Sequence, residues 1–367
     1  MSYEILTKDY LRLYEVDDFI SLTWTVRYAE CGDFEIEVPL RQRYIDTFVL
    51  DAVVYDNESD HHMIIEKVFL RTDQEKGNTL VARGRDLKSL LERRVIWPSW
   101  WMTDSEVQNI AYWIVRRNFD SPMDADRRIP ITPVLSSDPR VKDKRASADY
   151  SGQNALEEIK KLAVSSSLGF YLVPTDNAGL YIHYSFGMYH GVNRSDTQSE
   201  RPVVEFSPMY ETLTASEYLH TNEDYKNFAY ILGEEMTPTE ELPYRNRWNT
   251  SHSTPSWIQR RERRREVTIS ASDLQSKQDD DTVMPQTDYM AILRSRGLEQ
   301  LGELTEQKLL TGEIVAGGPY EYGVDYNLGD LVTIANEYGH RGVVRVEEYT
   351  TTIDANGIFS TPIFKTI

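Results

Sequence analysis

Leu22, Trp24, Val26 and Tyr28 alternate with polar neighbours, and Phe34, Ile36 and Val38 do so again after Gly32-Asp33. An apolar side chain at every second position lies on one side of a pleated strand, so these runs predict half-buried strands of a sheet with one wet face. Gly32-Asp33 is suited to a tight turn between them, and Pro39 ends the second run because it has no amide to give a ladder. Strands at 3–7, 11–16, 53–56, 63–72 and 78–83 surround this centre, with Gly84 letting the chain leave the sheet. Asp86 then caps a helix carrying Leu87, Leu90, Leu91 and Val95.

After Ile96 the pattern changes. Trp97, Trp100 and Trp101 cluster beside Pro98. Thr103 and Glu106 are spaced as a capping box for a helix whose inner face is Val107, Ile110, Ala111, Ile114 and Val115. Residues 120–148 are rich in Pro, Asp and Arg and predict a long surface segment. Asn154 and Glu157 open a second helix, with Leu156, Ile159, Leu162 and Ala163 inward and Gly169 as its stop. A hairpin over 170–186 completes an α+β lobe.

The last third begins near residue 205. A strand is expected at 225–233, a loop at 240–257 and a strand at 266–270. A helix is expected at about 288–309, with Met290, Leu293, Gly297, Leu301 and Leu304 on one stripe. The segment 325–334, DYNLGDLVTI, is a turn that launches a strand. Asp330 is placed there as a short acceptor for nearby amides. Two final strands pair across Asn356-Gly357. The expected fold class is α+β, mainly β. Two barrel-like domains, each with a helix, cover 1–96 and 201–367, and the lobe at 97–200 is inserted between them.

Chemistry is sparse. Cys31 is the only cysteine in 367 residues, which excludes an intrachain disulfide and a thiolate metal cluster. Cys31 itself is expected to be an incidental thiol. His61-His62, in an expected exposed turn, lacks a third ligand at a recognised spacing. No nucleophile elbow, phosphate loop or dinucleotide fingerprint occurs. Glu240-Glu241 and Asp279-Asp280-Asp281 are expected in solvated loops. We therefore expect no catalytic residues, cofactor or metal, and no cleavage of peptidoglycan. The formal charge of −19 argues against stable nucleic-acid binding. No signal peptide or apolar run of membrane-spanning length is visible, so synthesis in the cytoplasm without a leader or membrane insertion is expected.

Two features suit contacts with partners. Arg260, Arg261, Arg263, Arg264 and Arg265 form a basic block in an acidic chain: a grip for phosphate or an acidic partner, or a solvated lead-in to a strand. Trp97, Trp100 and Trp101 are core packing at a domain junction, an interface, or a sugar-stacking platform.

Four stretches carry a resemblance. WTVRYAECGDFEIEVPL at 24–40 and LVARGRDLKSLLERRVIW at 80–97 contribute Trp24, Arg27, Tyr28, Gly32, Asp33, Phe34, Glu35, Gly84, Arg85, Leu87, Leu91, Arg93 and Arg94. DYKNFAYILGEE at 224–235 and YGVDYNLGDLVTI at 322–334 follow in order. Together they resemble the tail-tip or baseplate hub proteins of long-tailed, siphovirus-type phages, in the N-terminal hub part of tail-associated proteins. The resemblance implies a homotrimer whose paired barrel domains adapt a hexameric tail tube to a three-fold tip around the DNA exit channel. Implied partners are the distal tail protein, receptor-binding or other tip proteins, the tape-measure protein and transiting DNA. The implied location is the virion tail tip, after assembly in the bacterial cytoplasm. Relatives often extend into a lysin or receptor-binding part. This sequence stops at Ile367, so such an activity is expected from another protein. The alternative is a tail-associated cell-wall hydrolase or carbohydrate-binding tail module.

Overall fold

The alternation at residues 22–38 becomes the middle of a 13-stranded sheet. The computed structural model describes residues 3–6, 12–56, 61–72, 77–175, 183–234, 247–251, 263–277, 282–314, 318–336, 338 and 341–366. In the first third, β1 (Tyr3–Leu6), β2 (Arg12–Val16), β3 (Ser21–Arg27), β4 (Asp33–Pro39), β5 (Val53–Asp56), β6 (His62–Arg71) and β7 (Thr79–Asp86) follow one another, with helix α1 (Gln42–Thr47) after β4. Along β4, Phe34, Ile36 and Val38 are buried while Asp33, Glu35, Glu37 and Pro39 are half-buried, as the period of two requires. Asp86 caps the next helix as expected, accepting from Lys88 N at 3.1 Å, but the helix over Leu87–Arg93 is 3-10.

Two local expectations at this end are corrected. Residues 28–32 form a longer connection wrapped around Lys88, whose Nζ donates to the carbonyls of Arg27 and Glu30. Gly84 does not end its strand. It lies inside β7, opposite a bulge in β6, where an added Cβ would stand 1.7 Å from the Ile64 carbonyl oxygen. Glycine is needed there for the close approach of two backbones.

The middle of the chain supplies β8 (Trp100–Glu106), α2 (Val107–Val115), β9 (Ile131–Val134), α3 (Pro139–Lys142), β10 (Arg145–Tyr150), α4 (Ala155–Ser166), β11 (Gly169–Pro174) and β12 (Tyr184–Tyr189). The expected inner faces of α2 and α4 are buried. Thr103 and Glu106 form no capping box, because both belong to β8, which pairs with β10. Asn154 does cap α4, accepting from Leu156 N and Glu157 N. Ser167, at φ 59°, ends that helix, and Gly169 already belongs to β11. The segment 120–148 holds β9 and α3, with Ile131 and Val141 buried.

The last third divides its elements. β13 (Glu205–Phe206), β14 (Leu213–Thr221), and later β18 (Gln307–Ile314), β19 (Leu331–Ala335), β20 (Arg341–Asp354) and β21 (Gly357–Thr366) join the large sheet. Between them, β15 (Phe228–Leu232), β16 (Arg247–Ser251), β17 (Glu266–Ser270) and α5 (Gln286–Glu303) build a satellite lobe. Its own small core includes Ile231, Ile269, Leu274, Tyr289, Ile292 and Leu293. Part of the expected loop at 240–257 is therefore strand β16, paired with β15. Helix α5 stops at Glu303, and residues 307–309, expected in the helix, open β18.

The mainly β class with helices is as expected. The manner of joining was not visible in the order of elements. The main path of the sheet runs β14-β18-β21-β20-β3-β4-β7-β6-β5-β1-β2. Strands of the first and last thirds thus meet edge to edge at β3 and β20, antiparallel, with Arg27 opposite Glu348 and Thr25 opposite Thr350. Among the described residues no strand pairing closes this sheet into a barrel.

Candidate functional site

Across β3, β4, β7 and β20 one face of the sheet carries polar side chains tied together by paired charges. Arg27 Nε donates to Glu348 Oε2 at 2.9 Å across the β3–β20 seam, and its Nη1 donates to the Cys31 carbonyl at 2.8 Å and to Asp33. Thr25 and Thr350 hydroxyls meet at 3.0 Å beside it. On β7, Arg83 pairs with Glu35, and Arg85 clamps Glu66 with Nε and Nη2 and also reaches Glu92. These pairs are partly exposed, so each contributes on the order of 1 kcal/mol or less. Their larger effect is on potential: each of these arginines is neutralised by a carboxylate. Several of the residues that carried the resemblance (Arg27, Asp33, Glu35, Arg85) belong to this network.

Asp330 does what its position in the turn predicted, and more. It is 3% exposed. Its Oδ2 accepts from Asn327 N at 3.0 Å, closing the turn, and from Arg194 Nε at 2.9 Å. Its Oδ1 accepts from Val192 N at 2.6 Å. The backbone continues the seam, with Leu331 N donating to Val192 O at 2.9 Å and Arg194 N to Leu331 O at 2.8 Å. One carboxylate thus locks the exit of the inserted lobe to the start of β19. Gly329 beside it has φ +83°, and a Cβ there would lie 2.2 Å from the buried Tyr28 ring.

The tryptophans separate. Trp100 and Trp101 are consecutive on β8 and so point to opposite sides. Trp100 is 7% exposed and meets Tyr150 edge to face at 5.1 Å, with the Arg117 guanidinium 5.3 Å above its ring. Trp101 packs on the satellite core. Trp97 is 54% exposed. Trp100 and Trp101 thus lie on two different cores, while Trp97 faces outward.

The arginine block is partly taken up within the chain. Arg264 Cζ sits 3.6 Å over the Phe228 ring, its Nη2 donates to Tyr230 Oη at 2.8 Å, and it pairs with Glu266 at 2.6 Å. Arg265 Nη1 donates to the Asn222 carbonyl at 2.5 Å, and Asn227, fully buried, bonds the backbones of Arg263 and Arg265. Arg260 and Arg261 lie outside the described residues. Among the described residues no hydrogen bond, ion pair or ring contact joins Arg264 or Arg265 to Trp97, Trp100 or Trp101.

The reactive candidates are quiet. Burial pushes the Cys31 thiol up to about 12, with Asp86 adding to the effect, so little thiolate is present near neutrality. His62 is buried within β6 rather than in an exposed turn. Among the described residues no group of three or more His, Cys, Asp or Glu is arranged to hold a metal ion, and no helix is long and apolar enough to cross a membrane. Glu240, Glu241, Asp279, Asp280 and Asp281 lie outside the described residues. The charged cleft between α4 and α5 was missed in the sequence. Its only sequence signal is the i, i+3 pair Glu158–Lys161.

The profile of the family described as Siphovirus ReqiPepy6 Gp37-like protein matches residues 2–364. The chain belongs to this family. Solved structures extend the likeness at the level of fold. The 43 kDa tail protein of prophage MuSo2 from Shewanella oneidensis aligns with TM-score 0.57 and 12% identity over 99% of this chain and 98% of that one. A tail protein from Neisseria meningitidis aligns with TM-score 0.56 and 12% identity over 100% and 97%. Prophage tail protein gp18 from Listeria monocytogenes aligns with TM-score 0.56 and 11% identity over 100% and 94%. A search of curated proteins finds no match. The family is a siphovirus one, and the fold is shared with these prophage and bacterial tail proteins.

Proposed function

We propose that this siphovirus tail protein is the hub of the tail tip, a homotrimer that adapts the hexameric tube to a three-fold end around the DNA exit channel. The observation that carries the proposal is the β3–β20 seam. It fuses the strands of the first and last thirds into one wide sheet whose central strands β3, β4, β7 and β20 carry a polar, charge-compensated face. A rigid two-sided wall of this kind can border an aqueous channel while its other face is covered by the lobes. DNA crosses such a wall without being held, because capture of phosphate requires unpaired cations and release of counterions. In this proposal the Arg27, Arg83 and Arg85 pairs line or approach the channel. Arg260, Arg261 and Arg263 face a neighbouring tail protein, such as the distal tail protein or a receptor-binding protein.

The test is the mass of the purified chain by light scattering, together with an image of the assembled tail tip. A trimer with three-fold symmetry and the polar sheet face inward is expected. A chain that stays monomeric at every concentration and occupies six equivalent positions in the tail would overturn the hub assignment, leaving a structural tail protein of another position.

A further inference from the structure

Helices α4 and α5 meet where the inserted lobe touches the satellite lobe, and the cleft between them sets charged side chains beside apolar ones such as Leu162 and Ile292. From α4 come Glu158, 7% exposed, and Lys161, whose Nζ donates to Glu158 Oε1 at 2.8 Å. From β10 come Asp149 and Tyr150, both buried. From α5 itself come Arg296, Glu299 and Glu303. Arg296 is drawn toward Asp273, at 3.3 Å. Lys144 and Arg145 line the far end, and Arg145 pairs with Asp104 at 2.7 Å. A cleft of about 210 Å³ remains between these elements, bordered by Glu158, Lys161, Arg296 and Glu299.

Glu299 is the odd group in this set. Among the described residues no hydrogen bond or ion pair reaches its carboxyl, because Lys161 is given to Glu158 and Arg296 to Asp273. If ionised, it places a second carboxylate opposite Glu158 in a confined space. Burial is the first cause that pushes it up to about 7. The Glu158 charge and, more weakly, Glu303 act in the same direction, against Arg296 and Lys161.

We propose that Glu299 is a proton-sensitive latch at the α4–α5 joint: with its carboxyl neutral the two lobes close on each other, and with it ionised the joint loosens. The sign follows from linkage. The closed joint holds the proton more tightly than an open joint, in which Glu299 returns toward 4.5. Closure is therefore strongest below about 4.5. It weakens as pH rises toward about 7 and changes little above that. The proposal concerns the isolated chain and does not rest on the hub assignment.

The experiment is hydrogen exchange on the full-length chain from pH 5 to 8, with intrinsic rates corrected. Wild type should lose protection in α4 and α5 by at least about tenfold between pH 5 and 7.5, since one unit of differential proton affinity is a factor of ten. Strand β4 should not change. Glu299→Gln should keep high protection at every pH. Carboxyl-carbon titration of wild type gives a second measure that needs no folded Gln variant, with the Glu299 resonance assigned from its loss in Glu299→Asp. A midpoint near 7 supports the latch. A midpoint below 5, a flat wild-type profile, or the same slope in Glu299→Gln overturns it.

Discussion

Replacing Asp330 with Ala tests whether one carboxylate holds the inserted lobe to the sheet. Three donors converge on it: Val192 N, Asn327 N and Arg194 Nε. The carboxylate is 4% exposed and the Arg194 side chain 20% exposed, so water replaces the acceptor poorly. A hydrogen bond to a charged group contributes roughly 1.5–3 kcal/mol, and breaking a buried pair by removing one partner costs roughly 3–5 kcal/mol. The three bonds share one acceptor and are not additive, so a total of about 3–5 kcal/mol is expected. Asp330→Asn keeps one acceptor oxygen but turns an amide toward donors, and should cost about 2 kcal/mol. Urea unfolding gives the total. Hydrogen exchange locates the loss, which should concentrate at residues 190–194 and 327–332. A cost below about 1 kcal/mol for Asp330→Ala, or loosening confined to the satellite lobe, refutes the reasoning.

Gly84→Ala should be strongly destabilising. Its Cβ would collide with the Ile64 carbonyl, so the β6 bulge must shift, and a loss above about 2 kcal/mol or insoluble protein is expected in the same urea assay. Cys31 should react with maleimide at pH 8 on the order of a thousandfold more slowly in the native chain than after unfolding. Burial pushes its thiol up to about 12, and only the thiolate attacks; fast native labelling would contradict the burial. Trp100→Ala should cost about 3–5 kcal/mol and Trp97→Ala about 0.5 kcal/mol or less. Trp100→Phe should be mild, because the indole N–H meets no acceptor among the described residues and no hydrogen bond is lost; thermal melts of the three variants decide this.

What the sequence determined was local. Alternation at 22–38 fixed which side chains of β3 and β4 face the core, because a strand's period of two leaves no choice once one face is apolar. The inner faces of α2 and α4, the caps at Asp86 and Asn154, the final hairpin and the turn acceptor Asp330 were legible for the same reason. Each depends on residues within a few positions of one another. The errors were local signals overruled from a distance. Thr103 and Glu106 have capping-box spacing, but pairing with β10 holds them in a strand. Gly84 signals a break, yet it is retained inside β7 for the approach of Ile64.

Only the tertiary structure decided the seam. Arg27 and Glu348 lie 321 residues apart, and no pattern near either one names the other. The same holds for Asp330 with Arg194, for the division of the tryptophans between two cores, and for Glu299 opposite Glu158. An ionised side chain is compatible with any wet surface, so its partner is set by which strands and helices the hydrophobic faces bring together. The apolar periodicity chose the faces. Burying them against one another chose the charges that had to meet.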